Sequence, residues 1–421
     1  MTPNEGPGAV AFGQNDWLQA NPPNIRIAIV KRRPGDSHYA GMKRLLPVIL
    51  VLAAKAHGAW VIEDIATAIQ YTNGSPNLIG KEMASAYRAT YNATGAKTGE
   101  YIAVAYRSKY LYITQRQGTG WNGLRFDDHG RYPSIVLDGA GKPHMSYWRS
   151  SNKKLYYART VPQGTGNCGP NGTWACEEIP TTFYGAPIGR SAITITGNNK
   201  VHILVETASG DPYYPSRISR ITKTVGAAGW DGTVDEITIS KDLADMKIRI
   251  DPGGGTQLLL NSEYLDWYRL INGAMQAVGP LNGVGAFEYT SSFNPRVCYR
   301  DFTLNRLIYA RSNDSQYWTE TVLDYDIGPL GSCSIAIAPS SSDGNLQPLG
   351  FFNPRIAYYD DAGDQVKYAT MPPLSSQPWN FETVAAAAGT RAIDLYLDRQ
   401  GRPSIIYFDS ASLKLKLAKR P

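Results

Sequence analysis

From about residue 60 onward, apolar and polar positions alternate in short runs of five to eight residues, each bounded by Gly, Pro, Asn, Asp or Ser. The stretch 133–159, PSIVLDGAGKPHMSYWRSSNKKLYYAR, shows the unit most clearly. Three strand-like runs (134–138, 143–149 and 155–159) are separated by two turn segments, Gly139-Ala140-Gly141-Lys142 and Ser150-Ser151-Asn152-Lys153-Lys154, which predicts a β-meander. In the Asp-x-x-Gly-x-Pro turn, Asp138 can bond the backbone ahead of it. Gly141 can take a positive φ, and Pro143 can open the next strand without removing a ladder bond.

The unit recurs. Second strands begin at Tyr101, Pro143, Val201, Thr256, Pro295, Pro354 and Pro403, at spacings between 39 and 59 residues. A third strand follows each, as in KLYYAR from Lys154, RLIYAR from Arg306 and QVKYAT from Gln365, and a first strand precedes most, as in SIVLD at Ser134, SAITIT at Ser191 and SIAIA at Ser334. Fourth strands open on a tryptophan with a glutamate two or three residues on, at Trp60, Trp174, Trp318 and Trp379. Trp121 and Trp230 are looser versions, and the fourth unit keeps only 275–278. The last unit stops after its third strand, whereas Trp60-Val61-Ile62-Glu63-Asp64-Ile65 is a fourth strand with no unit before it. The expectation is an all-β chain: a seven-bladed β-propeller of four-stranded blades over residues 60–421, its N-terminal strand completing the last blade.

Ahead of it, Met42-Lys43-Arg44 and the apolar run 45–54 resemble the charged and apolar regions of a signal peptide. That run is about half a bilayer span, so residues 42–59 are read as a signal peptide and not as an anchor. Residues 1–41 are read as an upstream extension foreign to the exported protein, or as disordered. Losing residues 1–56 removes seven Lys/Arg and three Asp/Glu, so the net charge falls from +6 to +2. That leaves no electrostatic case for nucleic acid. A secreted or periplasmic protein without stable membrane insertion after cleavage is expected. Four cysteines in an exported chain are bridge candidates. Cys168 and Cys176 can staple one loop, and a Cys298–Cys333 bridge between neighbouring units is one open pairing. No Cys-x-x-Cys occurs and the five histidines are scattered, so neither a metal nor a cofactor is called.

The order of Trp-led strand, SI-x-x-D, G-x-P-x-I-x-Y and LxYA resembles the sialidase-like propellers with Asp-box repeats and their non-enzymatic relatives. The Asp box itself, Ser-x-Asp-x-Gly-x-Thr-Trp, is approached only by residues 312–318, one residue short and without the Gly. The resemblance implies an arginine clamp, a Tyr/Glu nucleophile and an Asp acid/base. Arg131, Arg190 and Arg391, with Arg88, lie just before first strands, where capping of strand entrances is the competing role. No Tyr/Glu pair matches, and six blades are usual for those sialidases against the seven counted here, so no catalytic residue is assigned.

In a propeller, the loops from strand two to strand three and from strand four to the next strand one share a face. Strand two ends there at Tyr106-Arg107, Trp148-Arg149, Arg300-Asp301, Tyr359-Asp360 and Phe408-Asp409, and these ten residues are the candidate ligand-binding set. Aromatic faces stack on C–H surfaces while Arg and Asp pair with hydroxyls, a combination suited to sugars and also to protein interfaces. The competing role is a core wedge for the rings and turn capping for the charges. Three longer segments, 70–82, 207–216 and 340–353, are read as insertions that carry specificity. The expected function is an exported binding module engaging a glycan or protein partner through one face. The alternative is a sialidase-like glycoside hydrolase, with Glu206, Asp301, Asp360 and Asp409 the carboxylates to test. An enzyme needs two carboxylates converging beside arginines, roughly 5 to 9.5 Å apart.

Overall fold

The structure, a computed structural model, describes residues 59–66, 82–180, 187–211, 214–239, 245–250, 256–261, 265–271, 274–281, 283–290, 294–313, 317–337, 353–371, 378–387, 389 and 392–420. The chain divides into Met1–Ala56, which lies outside the described residues together with the extension and most of the signal-like segment, and a compact unit, His57–Pro421.

The second unit opens with β1 (Val61–Ala66). Six antiparallel meanders follow in chain order. The first is β2 (Met83–Tyr91), β3 (Lys97–Arg107), β4 (Leu111–Gln117) and β5 (Gly120–Asp127); the second is β6 (Gly130–Leu137), β7 (Pro143–Arg149), β8 (Lys154–Thr160) and β9 (Trp174–Glu178). The third is β10 (Pro187–Ile195), β11 (Lys200–Asp211), β12 (Tyr214–Thr224) and β13 (Asp231–Ile239); the fourth is β14 (Asp245–Ile250), β15 (Thr256–Asn261), β16 (Leu265–Ile271) and β17 (Ala274–Leu281). The fifth is β18 (Gly283–Tyr289), β19 (Pro295–Asp301), β20 (Leu307–Ser312) and β21 (Trp318–Asp324); the sixth is β22 (Ser332–Ile337), β23 (Pro354–Asp360), β24 (Gln365–Thr370) and β25 (Asn380–Ala386). The seventh sheet joins the two ends of the unit. β26 (Ile393–Leu397), β27 (Pro403–Asp409) and β28 (Lys414–Lys419) are completed by β1, with Val61 opposite Lys419 and Glu63 opposite Leu417. Seven four-stranded antiparallel sheets, with no α-helix among the described residues, are consistent with a β-propeller. Among the described residues no helix is long and apolar enough to cross a membrane.

Packing explains the pattern of each strand. The second strands β7, β23 and β27 are buried nearly end to end, because both faces of the sheet are covered by neighbours, and β23 and β27 are correspondingly continuous in Ile, Ala, Tyr and Phe. The outer strands β5, β21 and β25 alternate or face water and carry the charges. First strands pack on first strands: β6 against β2 and β10, β10 against β14, β22 against β18 and β26, and β26 against β2. Serines stitch this inner layer. Ser134 Oγ accepts from the Ile193 amide at 3.1 Å and Ser334 Oγ from the Leu395 amide at 3.0 Å, each across to the next first strand.

The tight turn between first and second strands is built as its sequence predicts. Asp138 Oδ1 accepts from the amides of Ala140 and Lys142, both at 2.8 Å, and Gly141 sits at φ 78 against the ring of Tyr101. Asp398 and Gly401 repeat the device before β27. Both bridges form: Cys168–Cys176 inside the β8–β9 connection, and Cys298–Cys333 between β19 and β22.

Two readings are corrected. Residues 207–211 and 214–216, read as part of an insertion, belong to the ladder, with Ala208 opposite Ser216 and Asp211 opposite Tyr214, so β11 and β12 are long. Gly210 sits where the register shifts between Ala208 and Asp211, an irregularity that the backbone bonds on either side tolerate. The fourth sheet's outer strand is not the remnant 275–278. β17 pairs with β16 from Ala274 to Leu281 through a bulge, because pairing along an existing edge needs no tryptophan signal. The segments 70–81 and 340–352, including Phe351 and Phe352, lie outside the described residues, as do Tyr213, Arg391 and residues 314–316 of the Asp-box-like run.

Candidate functional site

Where the first strands begin, they enclose a cavity of about 340 Å³, lined by residues 83–85 of β2, 132–135 of β6, 190–193 of β10, 246–249 of β14, and Asp394 and Tyr396 of β26. The loops from second to third strands lie at the end where the first strands begin, since Met83 pairs with Tyr106 and Arg131 with Trp148. The cavity walls combine hydroxyls (Ser85, Ser134, Ser191, Tyr132, Tyr396) with three cations, Arg190, Lys247 and Arg249. Asp394 is the one carboxylate among the lining residues. It accepts a hydrogen bond from Ser85 Oγ at 2.5 Å, and Tyr396 Oη donates to the Ser85 carbonyl at 2.6 Å. Burial and the Asp394 charge hold the Tyr396 hydroxyl protonated, far above its ordinary range. Arg190 reaches Glu206 Oε2 at 3.4 Å, and Arg249 is shared between Glu288 at 3.5 Å and the Ile248 carbonyl at 3.1 Å. Two of the three cations are thus paired with carboxylates that stand outside the lining.

Beside the rim, Glu82 is fully buried between two arginines. Its Oε1 accepts from Arg131 Nε at 3.1 Å and Nη2 at 2.5 Å, while Arg107 Nε stands 3.7 Å from Oε2. Burial and the adjacent Arg131 charge pull the Arg107 guanidinium below its ordinary value, against the opposing pull of Glu82. Arg131 also lies 4.9 Å from the ring centroid of Tyr132, whose other aromatic neighbour is Trp148, at 6.4 Å and 41°. Arg131 and Arg190, read from the sequence as strand-entrance arginines, are thus both near the cavity and both paired with acids. Arg88 lies within β2.

The ten sequence candidates separate into two groups. Tyr106, Tyr359 and Phe408 are buried: Tyr106 stacks on Tyr112, Tyr359 Oη donates to Asp364 at 2.9 Å and accepts from the Gly389 amide, and Phe408 packs among Ile65, Val104 and Leu415. Asp301, Asp360 and Asp409 are also buried, and each caps its own turn. Asp301 accepts from the Thr303 amide and Arg306, Asp360 from the Gly363 amide and Lys367, and Asp409 from Ser412 and Lys416. Arg107, Trp148, Arg149 and Arg300 stay partly exposed. Arg149 pairs with Asp127 at 3.3 Å, and Arg300 donates to the Gly331 carbonyl at 3.1 Å and to Asn305 at 3.0 Å. Of these four, Arg107, Trp148 and Arg149 belong to sheets that line the cavity, as do the buried Tyr106, Phe408 and Asp409.

Sequence reasoning missed Glu82, Ser85, Tyr132, Lys247 and Arg249. The serines were findable, since Ser134, Ser191 and Ser334 open the aligned first strands. Glu82 was hidden at the end of a presumed insertion.

No family model matches the chain, and no curated protein does, so the sialidase-like resemblance rests on the residues quoted for it. Solved structures similar to this chain include a puromycin hydrolase (S511A mutant, complexed with PGG), at 12% identity and TM-score 0.46 over 83% of this chain, which spans only 56% of that protein. Two others are the polysaccharide lyase Uly1, at 8% identity and TM-score 0.49 over 84% of this chain and 92% of the lyase, and BBS1N in complex with ARL6DN, at 10% identity and TM-score 0.47 over 87% and 98%. Likenesses of this size fix no ligand.

Proposed function

We propose that His57–Pro421 is one closed seven-bladed β-propeller of an exported protein, and that it binds a glycan in the cavity that the first strands line. The pairing of β1 with β28 supports closure, and two disulfides fit an oxidising destination reached through residues 42–59. The observation that carries the function is the cavity wall: hydroxyls from four first strands beside three cations, and one carboxylate already engaged by Ser85. Hydroxyls and guanidiniums satisfy sugar hydroxyls, whereas glycoside hydrolysis calls for a second carboxylate facing the first. Glu206 is held by Arg190, and Asp301, Asp360 and Asp409 are engaged in their own turns, which supports binding over turnover.

A glycan-array screen of the full chain, run beside hydrolysis of fluorogenic glycosides, tests the reading. Binding without turnover, weakened at least about tenfold in Arg190→Ala, is expected, since losing a charged hydrogen-bond partner costs about 1.5–3 kcal/mol. Turnover abolished by Asp394→Asn would replace the binding module with an enzyme.

A protein partner is the second reading, and one observation favours it. Leu304, Tyr325 and Leu330 are exposed on loops tied together by the Ile327 amide to the Asn305 carbonyl at 2.9 Å and by Arg300 to Gly331. A blank glycan array with a specific protein ligand would favour it.

A further inference from the structure

Seven non-glycine residues among those described have a positive φ, and six of them sit in connections. Lys153, Asn305, Asp364 and Leu413 close turns between second and third strands, Asn199 closes a first-to-second turn, and Asn171 lies in the β8–β9 loop. Tyr132, at φ 48, lies inside a strand. Its conformation is disfavoured twice over: a bulky aromatic L-residue is crowded in the left-handed region, and the following Pro133 pushes residue 132 toward extended backbone. The strand accommodates it by a shift in register between Arg131 and Ser134.

What this conformation achieves is the position of the ring. Tyr132 lines the cavity while Arg131 lies against its π system at 4.9 Å and Trp148 stands beside it at 6.4 Å. Gly189, at φ 119, completes the arrangement: a Cβ there would stand 3.2 Å and 3.3 Å from Tyr132 ring atoms and 3.4 Å from Trp148. The glycine therefore lets both rings close in beside Arg190. Three local choices, a strained tyrosine, a bulge and a bare glycine, converge on one partly buried ring in the wall of a polar cavity. An unstrained glycine or asparagine at 132 would serve the bulge better, so the bulge alone does not explain the tyrosine.

We infer that Tyr132 is the stacking platform of a pyranose subsite: the C–H face of one sugar ring lies on Tyr132, and its hydroxyls turn toward Arg190 and the serines of the first strands. This rests on the glycan reading above and sharpens it to a cyclic sugar held by one strained residue. A pyranose presents a flat patch of C–H bonds that an aromatic face matches, and an open-chain polyol does not.

The test uses the full chain and three variants, Tyr132→Gly, Tyr132→Asn and Tyr132→Phe. Binding is read by tryptophan fluorescence, for which the neighbouring Trp148 is a reporter, against the methyl pyranosides of glucose, galactose and N-acetylglucosamine, with galactitol as the open-chain control. At least one pyranoside binds the parent chain and galactitol does not. Tyr132→Gly and Tyr132→Asn lose at least tenfold in affinity with an unchanged or higher melting temperature, while Tyr132→Phe stays within about threefold of the parent. Unchanged affinity in both Tyr132→Gly and Tyr132→Asn overturns the inference and leaves the glycan reading standing. A melting temperature several degrees lower in both, with affinity retained, makes Tyr132 a structural residue. If no pyranoside binds the parent chain, the inference falls together with the glycan reading.

Discussion

The second strand ends on arginine in the first two sheets and on aspartate in the last three, and the two endings are wired differently. Asp301, Asp360 and Asp409 each close their own hairpin, accepting from amides two or three residues on and pairing with Arg306, Lys367 or Lys416 of the following strand. Arg107 and Arg149 reach outside their hairpins instead, to Glu82 ahead of β2 and to Asp127 at the end of β5 in the preceding sheet. At one repeat position, an acid makes the turn self-sufficient, and a base ties it to other segments. The cavity is lined by both tied sheets, by the third and fourth sheets and by β26 of the last, self-capped one.

The largest break in this comparison comes at Glu82. Its side chain is fully buried and faces both Arg107 and Arg131, so Glu82→Ala leaves two guanidiniums without their shared counter-charge. A loss of about 3 kcal/mol in denaturation free energy is expected, because removing one partner of a buried pair strands the other. Adding Arg131→Ala to Glu82→Ala recovers part of the loss. A Glu82→Ala loss below about 1 kcal/mol would mean that the tied sheets are no more interdependent than the self-capped ones.

These two wirings were unequally legible. The hairpins of the self-capped sheets announce themselves, since PRIAYYD and PSIIYFD place an Asp at the end of a fully buried apolar run and a turn must follow. The inner serines and the Asp-x-x-Gly-x-Pro turn were equally local. β17 and the length of β11 and β12 were missed because pairing on a neighbouring edge overrode weak local signals such as Gly210 and Pro280. Glu82 and Tyr132 were invisible for another reason: a buried ion pair between residues 49 apart and a positive φ in a strand have no spelling of their own.

A second contrast concerns acid. His202, buried at the start of β11, accepts at Nδ1 from Arg220 at 3.4 Å, and burial, followed by the Arg220 and Lys200 charges, lowers its pKa to about 4. The group's folded pKa lies below its unfolded value near 6.5, so its contribution is complete above about pH 6.5 and is lost as pH falls toward 4. The parent chain is expected to lose roughly 2 kcal/mol between pH 7 and pH 5 through this residue. In His202→Gln that part of the pH profile flattens. An unchanged slope would locate the acid sensitivity elsewhere.

The smallest effect separates the self-capped hairpins from His202 of the third sheet by where it begins on the pH scale. Burial raises the Asp409 pKa, but Lys416 and Ser412 outweigh it and hold the carboxyl below its ordinary value; for Asp301, Arg306 and the amides of Thr303 and Leu304 do the same. A depressed folded pKa means stability that is present above the unfolded pKa of about 3.9 and lost as pH falls through the folded one. Asp409→Asn keeps one acceptor for the Ser412 amide and gives up the pairing with Lys416, so the loss at pH 7 is about 1 kcal/mol. That difference from the parent chain should persist unchanged down to about pH 4 and close only below it, where the parent carboxyl is itself protonated. Melting curves of both proteins from pH 7 to pH 2 measure it. A gap that already narrows between pH 6.5 and 5 would show that Asp409 answers to the same titration as His202, and that the capped hairpins are not energetically self-contained.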